Sequence, residues 1–263
     1  MFESRPLSKN RLVVFDLLNR SKDGHASVTG VFHWDVTDTL ARIERDKAKG
    51  RDVGFAAYTL KATSMIVQRF PKLNRRLFHR WYGPREVIWN EISCNLIVAR
   101  TGKDGEDILL PVVIRNSDQR SVEELHQTIR DLKQGDLQQM ESFQLQKKIR
   151  SIPRVVLKIF DYLIRTRPKF YIDRFGTFNL SAIIHYNSGG VAGSAISPST
   201  TFYPTNIEDR PHVHNGEIAV RKVILFGICV DHFLVDGLYS VKAMESLKTL
   251  MENPETILGP EQT

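Results

Sequence analysis

Val223-Ile224-Leu225-Phe226-Gly227-Ile228 is an apolar, β-branched run that reads as a buried strand. Close behind it comes Val230-Asp231-His232-Phe233-Leu234-Val235-Asp236-Gly237, a histidine and a carboxylate four residues apart, closed by glycine. An amphipathic stretch follows, with Val241, Met244, Leu247 and Leu250 on one face, the pattern of a helix. His232 therefore sits where a strand ends and a helix begins. A loop side chain at such a junction is solvent-accessible yet held by the scaffold. Histidine is also the side chain that most readily takes and returns a proton near neutral pH. A strand-end histidine beside an ordinary Asp-Gly turn gives the same pattern, so these residues need support from the rest of the chain.

That support begins with the other elements. Val28 to Val36 reads as a strand, and Thr37 or Asp38 can cap a helix that runs to Lys49 and stops at Gly50. Leu12 to Ser21 and Phe55 to Phe70 read as helices, the second closed by Pro71. Trp81 to Arg100 gives one or two strands, and the turn Thr101 to Gly105 leads into a strand from Ile108 to Ile114. Ser121 caps a helix through Lys133, with Glu124 placed for a capping box. Later strands are Thr177 to Tyr186, a looser one near Thr201, and Lys222 to Val230, before a helix from Tyr239 to Met251. Strands and helices mix without regular alternation, so the class is α+β rather than doubly wound.

The 263 residues, 41% hydrophobic and 25% charged, suit one globular domain spanning 1–263, with no linker, low-complexity tract or repeat. Cys94 and Cys229 lie in apolar runs and read as core filling in a reduced compartment. No signal peptide or membrane-spanning stretch is legible, which makes a cytoplasmic protein the expectation. His212 and His214 read as part of a Pro/Asn-bounded loop and lack a third ligand at suitable spacing, so no metal is expected. The net charge of +7 comes without a nucleic-acid-binding motif and speaks of solubility and steering.

Asp231-His232 through Asp236-Gly237 resembles the signature of the chloramphenicol acetyltransferase-like superfamily, and more closely the catalytic domain of dihydrolipoyl acyltransferases of 2-oxoacid dehydrogenase complexes. The resemblance runs from about Pro6 to Leu258. Pro6-Leu7-Ser8-Lys9-Asn10-Arg11 is similar to the family's opening, Phe32 to Thr37 to its strand ending in Asp-Val-Thr, and Phe70-Pro71-Lys72-Leu73-Asn74 to its Phe-Pro-x-Leu-Asn. Leu109 to Arg115 resembles the segment before its Arg-x-x-Asp turn, here Arg115 to Asp118, and Gly176-Thr177-Phe178-Asn179-Leu180-Ser181 resembles Gly-Thr-Phe-Thr-Ile-Ser. Six pieces in one order leave chance a poor account.

The resemblance implies a chloramphenicol acetyltransferase-like mixed sheet covered by helices, assembled as a homotrimer or a higher assembly, with the active site between subunits. It implies acyl transfer to or from coenzyme A, whose polyanionic character mild basicity suits. His232 would be the general base and Ser181 the oxyanion donor, acting by direct transfer with no acyl-enzyme. Asp236 would ion-pair with Arg11 and hold the loop. A strand serine bonding to backbone remains the other reading of Ser181, and His185 reads as a polar side chain on an alternating strand.

Two departures leave the acyl group and the small-molecule or carrier-bound acceptor open. Phe233 stands where the dihydrolipoyl enzymes have arginine, and Ala182-Ile183-Ile184 replaces Asn-Leu-Gly. Four residues precede Arg5, so the expectation is a chain with no lipoyl group of its own, and a dihydrolipoyl acyltransferase core served by lipoyl domains in trans is one alternative. A catalytically silent trimeric scaffold is another. A third departure is an insert from about Gln144 to Phe175, where Ile152, Val155, Val156, Ile159, Phe160, Leu163 and Ile164 recur at helical spacing among lysines and arginines. A helix packed on its own domain or a neighbouring subunit is the expected reading, and a membrane-surface helix the other.

Overall fold

The computed structural model describes residues 26–80, 83–101, 107–182 and 199–261. The expected first helix, with Arg11 before it, and His185 lie outside them. Within them a six-stranded mixed sheet runs in the order β1 (Ser27–Asp35), β8 (Glu217–Asp231), β7 (Thr200–His214), β6 (Phe178–Leu180), β4 (Cys94–Thr101) and β5 (Asp107–Ile114). The pairs β1/β8, β8/β7 and β4/β5 are antiparallel, whereas β6 runs parallel to both its neighbours. The expected α+β class and mixed sheet hold.

Alternation along the strands explains which face is covered. Ile224, Phe226, Ile228 and Val230 of β8 share one face and join the main core. An aromatic row crosses four adjacent strands on that side. Trp34 stacks on Phe226 with ring centroids 4.8 Å apart, Phe226 meets Phe202 edge-on at 6.4 Å, and Phe202 meets Phe178 at 5.9 Å. The helices α1 (Thr37–Ala48), α2 (Phe55–Arg69), α3 (Val122–Gln134) and α7 (Gly237–Glu252) bury Ile43, Leu60, Leu125 and Leu247 in this same core. A short α8 (Glu255–Leu258) closes the described C-terminal region.

Helix ends follow local chemistry. Ser121 and Glu124 form the expected capping box at α3, each side chain accepting from the other's backbone N–H. At α1 the cap differs from expectation. Val36 occupies the N-cap position, and the Asp35 carboxylate one residue earlier accepts from the Thr37 N–H and hydroxyl. The same carboxylate takes a 2.6 Å bond from Arg221. Burial opposes its ionisation, but the bonds from Thr37 and Arg221 outweigh burial and hold the Asp35 carboxyl below the usual carboxylate range.

The strand expectations hold in part. The stretch from Trp81 to Arg100 holds two strands as expected, β3 (Gly83–Ile88) and most of β4, but β3 pairs in a separate hairpin with β2 (Arg75–Arg80), a strand that was not expected. Strand β6 is three residues long; past it the Ser181 N–H still bonds Phe202 O, and the expected strand beyond Ala182 lies outside the described residues. His212 and His214, expected in a loop, lie in β7, which turns into β8 through Asn215 and Gly216. Both turn residues have positive φ, +53° and +84°, as a tight two-residue hairpin requires.

The insert forms three helices, α4 (Glu141–Ser151), α5 (Arg154–Thr166) and α6 (Pro168–Phe175), separated where Pro153 and Pro168 interrupt the backbone hydrogen bonding. The apolar stripe is helical as expected, but it does not sink into the core. Among its described residues, none of the α5 side chains is buried, and Ile159 and Tyr162 are 56% and 64% exposed.

Candidate active site

The chain enters the region of Ser181 through Gly176. This residue has φ +59°, and a Cβ there would stand 2.5 Å from the Ser93 carbonyl oxygen, so only glycine fits. That close approach lets the Thr177 N–H bond Ser93 O at 2.7 Å and sets β6 beside β4. Asn179 and Ser181 then share the face opposite Phe178 and Leu180. Asn95 donates to Asn179 at 2.9 Å, and Asn179 donates to Thr201 at 3.2 Å, a buried polar row across β4, β6 and β7. Ser181 is half-buried and its N–H donates to Phe202 O at 3.0 Å. No described residue engages its hydroxyl, which weighs against a serine occupied by backbone.

His232 follows the last residue of β8. Its N–H donates to Ala26 O at 2.7 Å, and its Nδ1 lies 3.0 Å from the Val235 carbonyl oxygen. A carbonyl can only accept, so Nδ1 carries the hydrogen and the neutral ring presents its lone pair at Nε2. That is the tautomer a general base needs, aimed away from the loop that holds it. The side chain is exposed in the isolated chain.

The loop itself is anchored by Asp231, a residue for which the sequence suggested no role. Asp231 is fully buried. Its N–H reaches Ser199 O at 2.9 Å, its carbonyl accepts from Leu234 and Val235 at 3.0 Å each, and its carboxylate accepts from the Phe233 N–H at 3.1 Å. The available signal was an acid at the buried end of an apolar strand, where a carboxylate persists only with partners. Three exposed apolar side chains follow His232 in the chain: Phe233, 65% exposed, with Leu238 and Val241 in α7.

Asp236 is the N-cap of α7. Its carboxylate accepts from the Tyr239 N–H at 2.8 Å, and its carbonyl from the Ser240 N–H at 3.1 Å. It is exposed, and Arg11, its expected partner, lies outside the described residues. Asparagine caps as well as aspartate, so Asp236→Asn should keep the helix end, whereas Asp236→Ala should lose about 0.5–2 kcal/mol of stability. Thermal melts of the two variants read this difference. A further loss in Asp236→Asn would measure the charge alone, and its absence would remove the ion pair from the site.

Strand order decides how Ser181 and His232 relate. Leu180 is level with Phe202, and Phe202 with Ile228, so Ser181 stands about level with Gly227, two strands from β8. His232 is five residues further along. At roughly 3.3 Å per residue and 4.8 Å per strand, the two are about 19 Å apart in one chain. One subunit cannot close this pair. A shallow cavity of about 560 Å³ runs along β5 beside Arg115 and Thr128, at the opposite sheet edge from β1, and none of the candidate residues lines it.

Residues 1–145 and 175–259 match the family model of 2-oxoacid dehydrogenases acyltransferase (catalytic domain). The lipoamide acyltransferase component of the branched-chain alpha-keto acid dehydrogenase complex of Bacillus subtilis is 24% identical over 263 residues, covering 94% of this chain and 52% of that protein. The chain spans about half the length of the curated relatives it matches along its length. The cubic core of the pyruvate dehydrogenase multienzyme complex superposes with a TM-score of 0.71 at 20% identity, covering 98% of this chain and 94% of the other. Chloramphenicol acetyltransferase does so with a TM-score of 0.54 at 12% identity, covering 90% and 94%. These likenesses fix the fold.

Proposed function

This chain belongs to the family of 2-oxoacid dehydrogenase acyltransferase catalytic domains, and from that premise we propose that it moves an acyl group between coenzyme A and a small-molecule or carrier-bound acceptor. The observation that carries the reading is the Nδ1 contact to Val235 O, which leaves Nε2 of His232 free as a base. With a thiol acceptor, Nε2 takes the S–H proton while the sulfur attacks the thioester carbonyl, forming a new C–S bond. The oxyanion accepts a hydrogen bond from the hydroxyl of Ser181. Collapse breaks the original C–S bond, and the imidazolium returns its proton to the departing thiolate.

The separation of about 19 Å expected from strand spacing within one chain supports a site shared between subunits, with Ser181 supplied by a neighbour in a trimer. The exposed apolar residues Phe233, Leu238 and Val241, close after His232 in the chain, also suit such a contact. The printed name of the Bacillus subtilis relative, a lipoamide acyltransferase, favours a second reading in which the acceptor is a lipoyl group delivered by a carrier domain. Phe233 in place of arginine is the residue that separates the two readings.

Thioester consumption with a panel of acyl donors and of thiol, hydroxyl and amine acceptors tests the proposal. Activity with coenzyme A thioesters and a thiol is the expected result, and no turnover with any pairing would refute it. Ser181→Ala should cost about 10²–10³ in turnover, as the loss of one oxyanion donor does. An unaltered rate would take Ser181 out of the reaction. Acyl-enzyme trapped during turnover would contradict direct transfer.

A further inference from the structure

The family match passes over residues 146–174. Of the chain's 37 lysines and arginines and 30 aspartates and glutamates, 9 and 2 fall in that segment, leaving 28 of each sign elsewhere. The whole net charge of +7 therefore resides in the insert, and the rest of the chain is neutral. Both acids of the insert are already paired, Asp173 with Arg115 at 2.8 Å and Asp161 with Arg165 at 3.2 Å. Lys148, Lys158, Arg167 and Lys169 are exposed and form no ion pair among the described residues.

Exposed apolar side chains stand among these charges. Val156, Ile159 and Tyr162, three residues apart along α5, are 38%, 56% and 64% exposed. Spacing of three makes them one row on the helix surface, with Lys158 bordering it. Water-facing isoleucine and tyrosine beside unpaired cations form a surface that gains from an apolar layer lying under a sheet of negative charge.

We propose that α5 docks the protein on an anionic lipid surface. The helix lies in the plane of the headgroups, Val156, Ile159 and Tyr162 enter the acyl boundary, and the exposed lysines and arginines meet lipid phosphates. A nucleic acid would satisfy the charges but leave the apolar row in water. A second copy meeting it through the same face would set two strongly positive segments against each other. Placed there, the enzyme would sit at a membrane without any spanning helix, and among the described residues no helix is long and apolar enough to cross one.

Flotation of the full chain with phosphatidylglycerol–phosphatidylcholine vesicles, and with phosphatidylcholine alone, tests this. Binding to the anionic vesicles only is expected, weakened at least tenfold by Ile159→Asp combined with Tyr162→Asp. Raising salt from about 0.1 M to several times that should also release the protein. Both substitutions are at exposed positions, and an unchanged melting curve confirms that the double variant is folded. The proposal fails if anionic vesicles are not bound at low salt, if neutral vesicles bind equally, or if the folded double variant binds undiminished. It also fails if the double variant dissociates an oligomer while vesicle binding is absent in the parent. None of these readouts depends on acyl transfer.

Discussion

Replacing His232 with alanine lowers acyl-transfer turnover by about 10²–10⁴, or roughly 3–5 kcal/mol of transition-state stabilisation, with the fold left intact. On the proposed mechanism the loss falls mainly on turnover, because a base acts as the acceptor proton leaves and so stabilises the transition state more than ground-state binding. Stability changes little, since the ring is exposed and its one described hydrogen bond goes to Val235 O. His232→Asn sharpens the test, because its amide can still donate towards Val235 O yet offers no base. Equal inactivity of the two variants is expected. Recovery of turnover in His232→Asn would mean that loop shape, and not the base, was lost with alanine, and wild-type turnover in His232→Ala would leave the silent scaffold as the better account.

The junction holding His232 was legible because each piece has a local cause. An apolar β-branched run makes β8, Asp236 can cap, and the spaced apolar residues from Met244 to Leu250 make α7. Strand β2 was not legible because it opens on Arg75 and Arg76 and carries His79 and Arg80, so the polar run hides an extended backbone paired to β3. Alternation continues past Ser181 in the sequence, while β6 itself ends at Leu180, with one further backbone bond from the Ser181 N–H to Phe202 O. The Asn215-Gly216 hairpin carried a strong local signal that the expectation of a histidine loop passed over.

For the site, residue types were readable and geometry was not. A histidine before a loop and a serine after Gly-Thr-Phe-Asn-Leu follow from the sequence. The tautomer of His232 depends on a backbone carbonyl three residues away, and the burial of Asp231 depends on its contact with Ser199 across the sheet. The spacing of 181 and 232 along the chain likewise says nothing of their distance, which comes from strand order. The insert shows the same limit: its helical period was plain, but whether the stripe faced the core was settled only by packing.

Mixing two nearly inactive variants, Ser181→Ala and His232→Ala, by unfolding and refolding them together is expected to restore activity. The reason lies in the register. With Ser181 level with Gly227 and two strands away, its hydroxyl and the His232 ring cannot meet within a chain whose sheet is intact, because closing about 19 Å would dismantle β6–β7–β8 pairing. A site built between subunits takes its histidine from one chain and its serine from the next. In randomly mixed rings, about a quarter of sites then receive both wild-type groups, so activity should reach about a quarter of the parent value. Each variant alone carries the lesion in every site and stays at least tenfold lower. Two differently tagged chains that co-purify as mixed oligomers yet regain nothing would contradict the shared site. So would sedimentation of the parent protein as a stable, fully active monomer, since both groups would then have to act from a single chain.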